Sequence, residues 1–265
     1  MYKKYLLIAS KLDYAGTNIA LALSQFKLPN LDISFVETEI IDDKGINPLL
    51  IERYDFVIFA SKHQSSEGGK TLSIHAPGNF KKADFGGKPE TLCLSSALFQ
   101  KFLFGELHKK AEEHLVKNYQ LTLECTHHGP LINKPCVFIE IGATPNEWKD
   151  KRIAFIVAKA IKSAIENFQL NKYQEIAIGI GGPHYCPNFN KIQLDSNIAI
   201  SHIIPSYILP VSEEIILEAI KKTQEEVDFV LLDWKGIGPA ESREQIISIL
   251  DKNHINYKKT KEIKK

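Results

Sequence analysis

No stretch of this 265-residue chain approaches the roughly 20 apolar residues needed to cross a bilayer. The five-residue apolar run after Met1-Tyr2-Lys3-Lys4 is too short for a signal peptide. No membrane partner is therefore expected. Cysteine is sparse: Cys93, Cys125, Cys136 and Cys186 are scattered, lack paired metal-binding spacing and require no disulfide. That usage points to a cytoplasmic protein. Net charge is only +1, so the bulk positive charge of a protein that coats nucleic acid is missing and no DNA partner is expected. Local contact with a phosphodiester end stays open. The Gly181-Gly182 pair is followed by no Gly-Lys-Ser/Thr, which excludes a phosphate loop, and no serine stands in a nucleophile elbow. An arginine cluster that would grip phosphate is also missing, which argues against a nucleoside phosphorylase.

What is present is a core-forming chain with 44% hydrophobic residues and neither an internal repeat nor a composition break. Residues 1–265 are therefore expected to form one domain. Tyr5 to Ser10 predicts a strand, Thr17 to Phe26 a helix, Ile33 to Val36 and Phe56 to Ala60 two more strands. Residues 64–90 are polar and glycine-rich and contain His75, which predicts a long functional loop. Ser95 to Val116 predicts a helix, Tyr119 to Leu123 and Pro135 to Ile141 strands. Thr144-Pro145-Asn146-Glu147 has the form of a capping box with proline at the first turn. It predicts one helix whose core face carries Ile153, Ile156, Val157, Ala160, Ile161 and Ala164. Glu175 to Ile180 and Phe229 to Leu232 predict further strands, with Ile198 to Ile204 a short apolar run. Ser212 to Lys222 and Arg243 to Leu250 predict the last helices, and residues 256–265 a basic, frayed tail. Strands alternating with helices predict an α/β fold with a largely parallel or mixed sheet and flanking helices.

The chemistry centres on Glu124-Cys125-Thr126-His127-His128-Gly129-Pro130. Adjacent imidazoles cannot share one face of a strand, and Gly-Pro stops regular structure, so the pair is placed on a turn at a strand end. Ser61-Lys62-His63, Gly181 to Tyr185 and Asp233 to Gly236 also follow strands, and Glu140 lies in a fifth. In a parallel sheet such ends share one edge, which predicts a common cleft. A carboxylate inside Val137-Phe138-Ile139-Glu140-Ile141 must be paired or carry a shifted pKa, both typical of sites. The bland readings differ by residue. His202 reads as a hydrogen-bonded core histidine, and His108, His114 and His254 as solvated. Asp233 serves equally as a turn cap, and Trp234 equally as packing or as a stacking platform. Histidines with carboxylates fit a hydrolytic site in which zinc or a His/Glu base activates water. Cys125 beside His127 leaves a thiol enzyme as a lesser option.

Taken together, ASKHQSS (60–66), HAPGN (75–79), FGGK (85–88), ECTHHGP (124–130), FIEIG (138–142), GIGGPHY (179–185), HIIPSY (202–207) and DWKG (233–236) resemble the archaeal and plant type of D-aminoacyl-tRNA deacylase. The elements recur in order over most of the chain, with Pro183 where a third glycine is expected. The resemblance implies a phosphorylase/hydrolase-like fold and hydrolysis of the ester joining a D-amino acid to the 3′-terminal ribose of tRNA. It implies a monomer with zinc as cofactor and the acceptor end of D-aminoacyl-tRNA as partner. On it, His63, His128 and His184 are expected to ligate the metal, with His127, His128 and Glu140 in catalysis. Lys62, His75, Gly181, Gly182, Tyr185, Trp234 and Lys235 are expected to bind substrate. Gly181 and Gly182 would offer amides to the oxyanion, Lys88 would join the phosphate contacts, and Phe80 is a further candidate for stacking. A zinc-dependent peptidase or amidohydrolase on a similar fold and a non-catalytic RNA-end binding module remain the alternative readings.

Overall fold

The structure is a computed structural model that describes residues 2–65, 68–169 and 175–263. In chain order the elements are β1 (Tyr5–Ser10), α1 (Tyr14–Leu23), β2 (Leu31–Val36), α2 (Pro48–Ile51) and β3 (Phe56–Gln64). There follow β4 (Thr71–His75), β5 (Gly78–Asn79), β6 (Thr91–Leu92), α3 (Ala97–Glu113), β7 (Gln120–Leu123) and β8 (Cys136–Ala143). The rest is α4 (Pro145–Trp148), α5 (Lys151–Asn167), β9 (Glu175–Ile180), α6 (Pro187–Asp195), β10 (Ile198–Ile204), α7 (Glu213–Lys221), β11 (Phe229–Leu232), α8 (Ala240–Lys252) and β12 (Tyr257–Lys259).

The fold is α/β, as expected, but the strands form two main sheets. A six-stranded sheet has the order β2-β1-β3-β8-β4-β7, and a four-stranded sheet the order β10-β9-β11-β12. All pairings in the smaller sheet are parallel. In the larger sheet β4 pairs antiparallel with β8, so β4 and β7 run against the other strands. The expectation that every chemical strand end meets on one carboxyl edge is therefore corrected. One apolar core nevertheless joins both sheets, taking in Ile58, Val137, Ile176, Ala199 and Leu231.

Local sequence explains most boundaries. Asp13 accepts from the N–H groups of Ala15 and Gly16, which starts α1 three residues before the apolar pattern does. The Thr144 capping box forms, but on the one-turn α4. Asp150 then accepts from Arg152 and Ile153 to start α5 separately, so the single expected helix is two. The predicted core face of α5 is buried, each isoleucine contributing on the order of 2–3 kcal/mol of hydrophobic stabilisation. Ser212 precedes α7 without a side-chain capping bond.

Two further expectations fail. Residues 64–90 are not one loop, because Thr71–His75 is wholly buried as β4 between β7 and β8. Alternating small polar side chains there face the interior, which hid the strand; Ser66 and Glu67 lie outside the described residues. The basic tail is not frayed through Ile263, because β12 extends the small sheet and Lys258 pairs with Glu175. Lys264 and Lys265 lie outside the described residues. All four cysteines are free and buried, and among the described residues no helix is long and apolar enough to cross a membrane.

Candidate active site

Strand periodicity builds the floor of the site. Ser61 in β3, Glu140 in β8 and Ser73 in β4 sit in register across three adjacent strands. The Ser61 hydroxyl donates to Glu140 Oε1 at 2.5 Å. His63, two residues on and so on the same face, places Nδ1 3.1 Å from Glu124 Oε1 and 3.5 Å from Glu140 Oε2. Glu124 arrives from the end of β7, where the chain leaves the large sheet. Thr126 N–H then bonds Ile203 O and Cys125 N–H bonds His184 O, which ties the motif to the small sheet. The site thus lies where the two sheets meet.

The paired histidines occupy a turn, and His128 has a positive φ of 46°, rare for a residue with a side chain. His127 Nδ1 lies 2.8 Å from Cys125 O and His128 Nδ1 2.6 Å from Gly129 O. His75 Nδ1 lies 3.2 Å from Ala76 O. Only a ring N–H satisfies a carbonyl, so in the neutral rings each Nε2 is left as a lone pair. These lone pairs point at carboxylates: His127 Nε2 is 3.5 Å from Glu124 Oε2, His75 Nε2 3.8 Å and His128 Nε2 4.0 Å from Glu140 Oε1. Acceptors facing acceptors call for a cation between them. His75 Nε2 and Glu124 Oε1 are also buried without a hydrogen bond.

The titrations divide the cluster. Burial opposes charge on His63, but Glu124 and Glu140 outweigh it and raise its pKa to about 11. Burial likewise opposes charge on His184, and hydrogen bonds with Cys125 and Glu124 raise it to about 10. Burial would raise both glutamates, yet the hydrogen bonds from His184 and His63 to Glu124, and from His63 to Glu140, hold them well below the usual carboxylate range. Burial, then the neighbouring His75, pushes His128 down to about 4 and His127 well below its ordinary value. Two ionised carboxylates and two cationic rings thus lie beside two neutral rings.

The ligating atoms of His75, His127 and His128 lie within 4.8 Å of one another, as do those of His63, Glu124 and His184. The expected trio of His63, His128 and His184 is therefore divided between two groups. Tyr185 belongs to the site, its hydroxyl 3.0 Å from His63 Nε2. His75 has no exposed surface, so it partners Glu140 rather than meeting substrate. The Gly181 N–H is taken by Ile204 O at 2.8 Å, which removes it as an oxyanion donor, while Gly182 lies against Asp233. Lys62 points to the opposite face of β3, 3.5 Å from Glu39 and over Trp148. Phe80 is buried core and stacks on nothing external, and Lys88 is on an exposed loop. Trp234 and Lys235 line a separate cavity. His202 is a satisfied core histidine, held by Thr126 and the carbonyl of Lys222. Sequence reasoning passed over Ser61 and the role of Glu124. Both were within reach: Glu124 ends the apolar run Leu121 to Leu123 as Glu140 interrupts its own, and Ser61 shares strand parity with His63.

Buried carboxylates set against converging imidazole lone pairs are the equipment of hydrolytic enzymes. Within that class, residues 50–258 match the profile of the D-aminoacyl-tRNA deacylase family, and the chain belongs to that family. It is 37% identical over 195 residues to the D-aminoacyl-tRNA deacylase of Thermococcus onnurineus, covering 73% of this chain and 70% of the relative. It is 31% identical over 264 residues to that of Methanocaldococcus jannaschii, covering 97% and 99%. The crystal structure of a conserved protein of unknown function superposes with a TM-score of 0.89 at 27% identity, over 98% of this chain and 96% of that one. Membership makes the chain a hydrolase acting on ester bonds of aminoacyl-tRNA, and neither the peptidase nor the binding-module reading is favoured.

Proposed function

We propose that the chain hydrolyses the ester between a D-amino acid and the 3′-terminal ribose of tRNA at the cluster around Glu124 and Glu140. The observation that carries the site is the convergence of three imidazole lone pairs on two buried carboxylates. His75, His127 and His128 would hold a zinc ion, since each spends its Nδ1–H on a backbone carbonyl, the arrangement that orients imidazole ligands. Bound there, zinc would supply a Lewis acid that stabilises charge developing on the ester oxygen.

The chain's own residues would do the rest. Glu140, steadied by Ser61, accepts the proton of the attacking water. His184, the most exposed ring of the cluster at 31%, gives a proton to the departing ribose oxygen, with Glu124 3.2 Å behind it. Tyr185 borders the same space and contacts the acyl or ribose end. On this reading the chain acts on the tRNA acceptor end as a monomer and as one domain, in the cytoplasm.

The test is release of labelled amino acid from D-tyrosyl-tRNA and L-tyrosyl-tRNA, before and after exhaustive chelation. Turnover of the D-ester alone, lost on chelation and restored by zinc, is expected. Turnover that survives metal removal would overturn the zinc assignment and leave the side chains and the ribose hydroxyl to act. No turnover of either ester by folded, zinc-loaded protein would overturn the function.

A further inference from the structure

A cavity separate from the catalytic cluster lies on the same sheet edge. Strands β9, β11 and β12 are parallel neighbours, so their carboxyl ends lie side by side. The first leads to Gly181 and His184, the second to Asp233-Trp234-Lys235, the third to Thr260-Lys261. Between the last two and α6 is a cavity of about 380 Å³, walled by Asn188, Lys191, Trp234, Lys235 and Lys261. Asn188 is four residues after His184, so the cavity wall begins within about 14 Å of it.

The three lysines come from three different elements, and no hydrogen bond or ion pair engages them among the described residues. Two carboxylates, Asp195 and Asp233, share the lining, so it carries three cations against two anions. Asp233 is engaged by the Asn188 side chain at 2.9 Å and by the Gly236 N–H at 3.3 Å, and Asp195 acts on the buried Lys101. Two more cations back the wall: Lys259 Nζ sits 4.0 Å from the Trp234 ring centre and the Arg243 guanidinium 5.1 Å from it. Arg243 Nε is buried with no hydrogen-bond partner. With its ring engaged by cations, Trp234 is a rigid wall rather than a stacking platform. With Lys259 and Arg243 counted, the lining and its backing carry five cations against two anions, a local positive excess in a chain of net charge +1.

We infer that this cavity binds the phosphodiester backbone of the RNA strand that carries the ester, a few nucleotides upstream of it. The inference rests on the deacylase reading for the identity of that strand. It requires phosphate contacts that position without reading sequence, which flexible lysines on a rigid frame provide.

The experiment is equilibrium binding of deacylated tRNA between about 50 and 200 mM salt. Four proteins are compared: the parent, Lys191→Gln/Lys261→Gln, Lys191→Arg/Lys261→Arg, and the equal-charge control Lys109→Gln/Lys151→Gln on exposed helical surface. The glutamine pair is expected to weaken binding roughly tenfold and to lower the slope of log K against log salt by about 2. The arginine pair and the control are expected to match the parent. Equal losses in the control, or no loss in the glutamine pair, would overturn the inference. So would inorganic phosphate or ATP that binds the parent tightly enough to erase the difference, because the cavity would then serve a free anion. The ligand carries no ester, so this result and the D-tyrosyl-tRNA result fail independently.

Discussion

Glu124 and Glu140 reach the same nitrogen: Nδ1 of His63 lies 3.1 Å from an oxygen of the first and 3.5 Å from an oxygen of the second. The two carboxylates come from strands that run in opposite directions, β7 and β8. Two buried anions this close are tolerable only with cations between them. His63 supplies one, and the space faced by the three Nε2 lone pairs is suited to another.

Glu140→Gln keeps the shape of the side chain and removes its capacity to accept a proton. Turnover of D-aminoacyl-tRNA is expected to fall about 10²- to 10⁴-fold, with KM changed far less. A drop confined to KM would make Glu140 a binding group and remove its role as base.

The proposed zinc site at His75, His127 and His128 predicts a different signature. His75→Ala, buried and out of reach of substrate, is expected to lower zinc content measured by native mass spectrometry as strongly as His127→Ala does. Zinc loading should raise the melting temperature of the parent and not of either variant, because an ion that binds only the folded chain stabilises it. Full zinc occupancy in both variants would move the ion to His63, Glu124 and His184.

Much of this was legible along the chain, for a physical reason. Glu140 stands out because a carboxylate in a five-residue apolar strand has to be compensated, and His127-His128-Gly129-Pro130 because it cannot continue a strand. Strand direction left no such mark. Nothing in Thr71-Leu72-Ser73-Ile74-His75 says that it inserts antiparallel beside β8, since Thr71 and Ser73 gain their meaning only from the site they face. The small helix α6 was missed because it starts from Cys186 in a left-handed conformation without a side-chain cap. The charged β12 was missed because its three residues owe their place to pairing with β11.

His202 gives the fold an acid sensitivity. Burial lowers its pKa to about 4 from an ordinary 6.5. Between those values the unfolded chain binds the proton and the folded chain does not. The contribution of His202 is therefore full above about pH 6.5 and is lost as pH falls towards 4, by up to about 3 kcal/mol. His202→Gln, which keeps a donor and an acceptor, should be less stable than the parent at pH 7. The urea-midpoint difference should shrink by pH 4.5. A difference that stays constant with pH would remove His202 as a source of the slope.

Lys101 acts in the opposite range. Its Nζ donates to the carbonyls of Gln193 and Ser196 at the end of α6. Burial, partly offset by Asp195, lowers its pKa to about 8 from 10.5. The folded chain releases this proton before the unfolded chain does, so the contribution of this one group to stability rises as pH climbs from about 8 towards 10. In Lys101→Met, which keeps the length of the side chain and removes the charge, the rise should be absent. The decisive quantity is the pH 9.5 minus pH 7.5 difference in urea midpoint, which should be more positive in the parent than in the variant, because the opposing fall from His63 and His184, whose folded pKa values are raised, is common to both.

Gly129 links the histidine turn to the loop over it. A Cβ there would fall 2.4 Å from Gly87 N and 2.5 Å from Gly86 C, both backbone atoms that cannot rotate away. The Gly129 N–H also donates to Phe85 O at 2.9 Å, and its carbonyl takes the His128 Nδ1–H. Gly129→Ala must therefore separate the two segments and turn the His128 ring. Overpacking of this kind costs about 1–3 kcal/mol, and a misplaced site loses on the order of 10²-fold in rate. The expected outcome is a modest fall in melting temperature beside a much larger fall in turnover and in zinc content. Equal activity of the alanine variant at a temperature where it is fully folded would show that the turn does not set the position of His128.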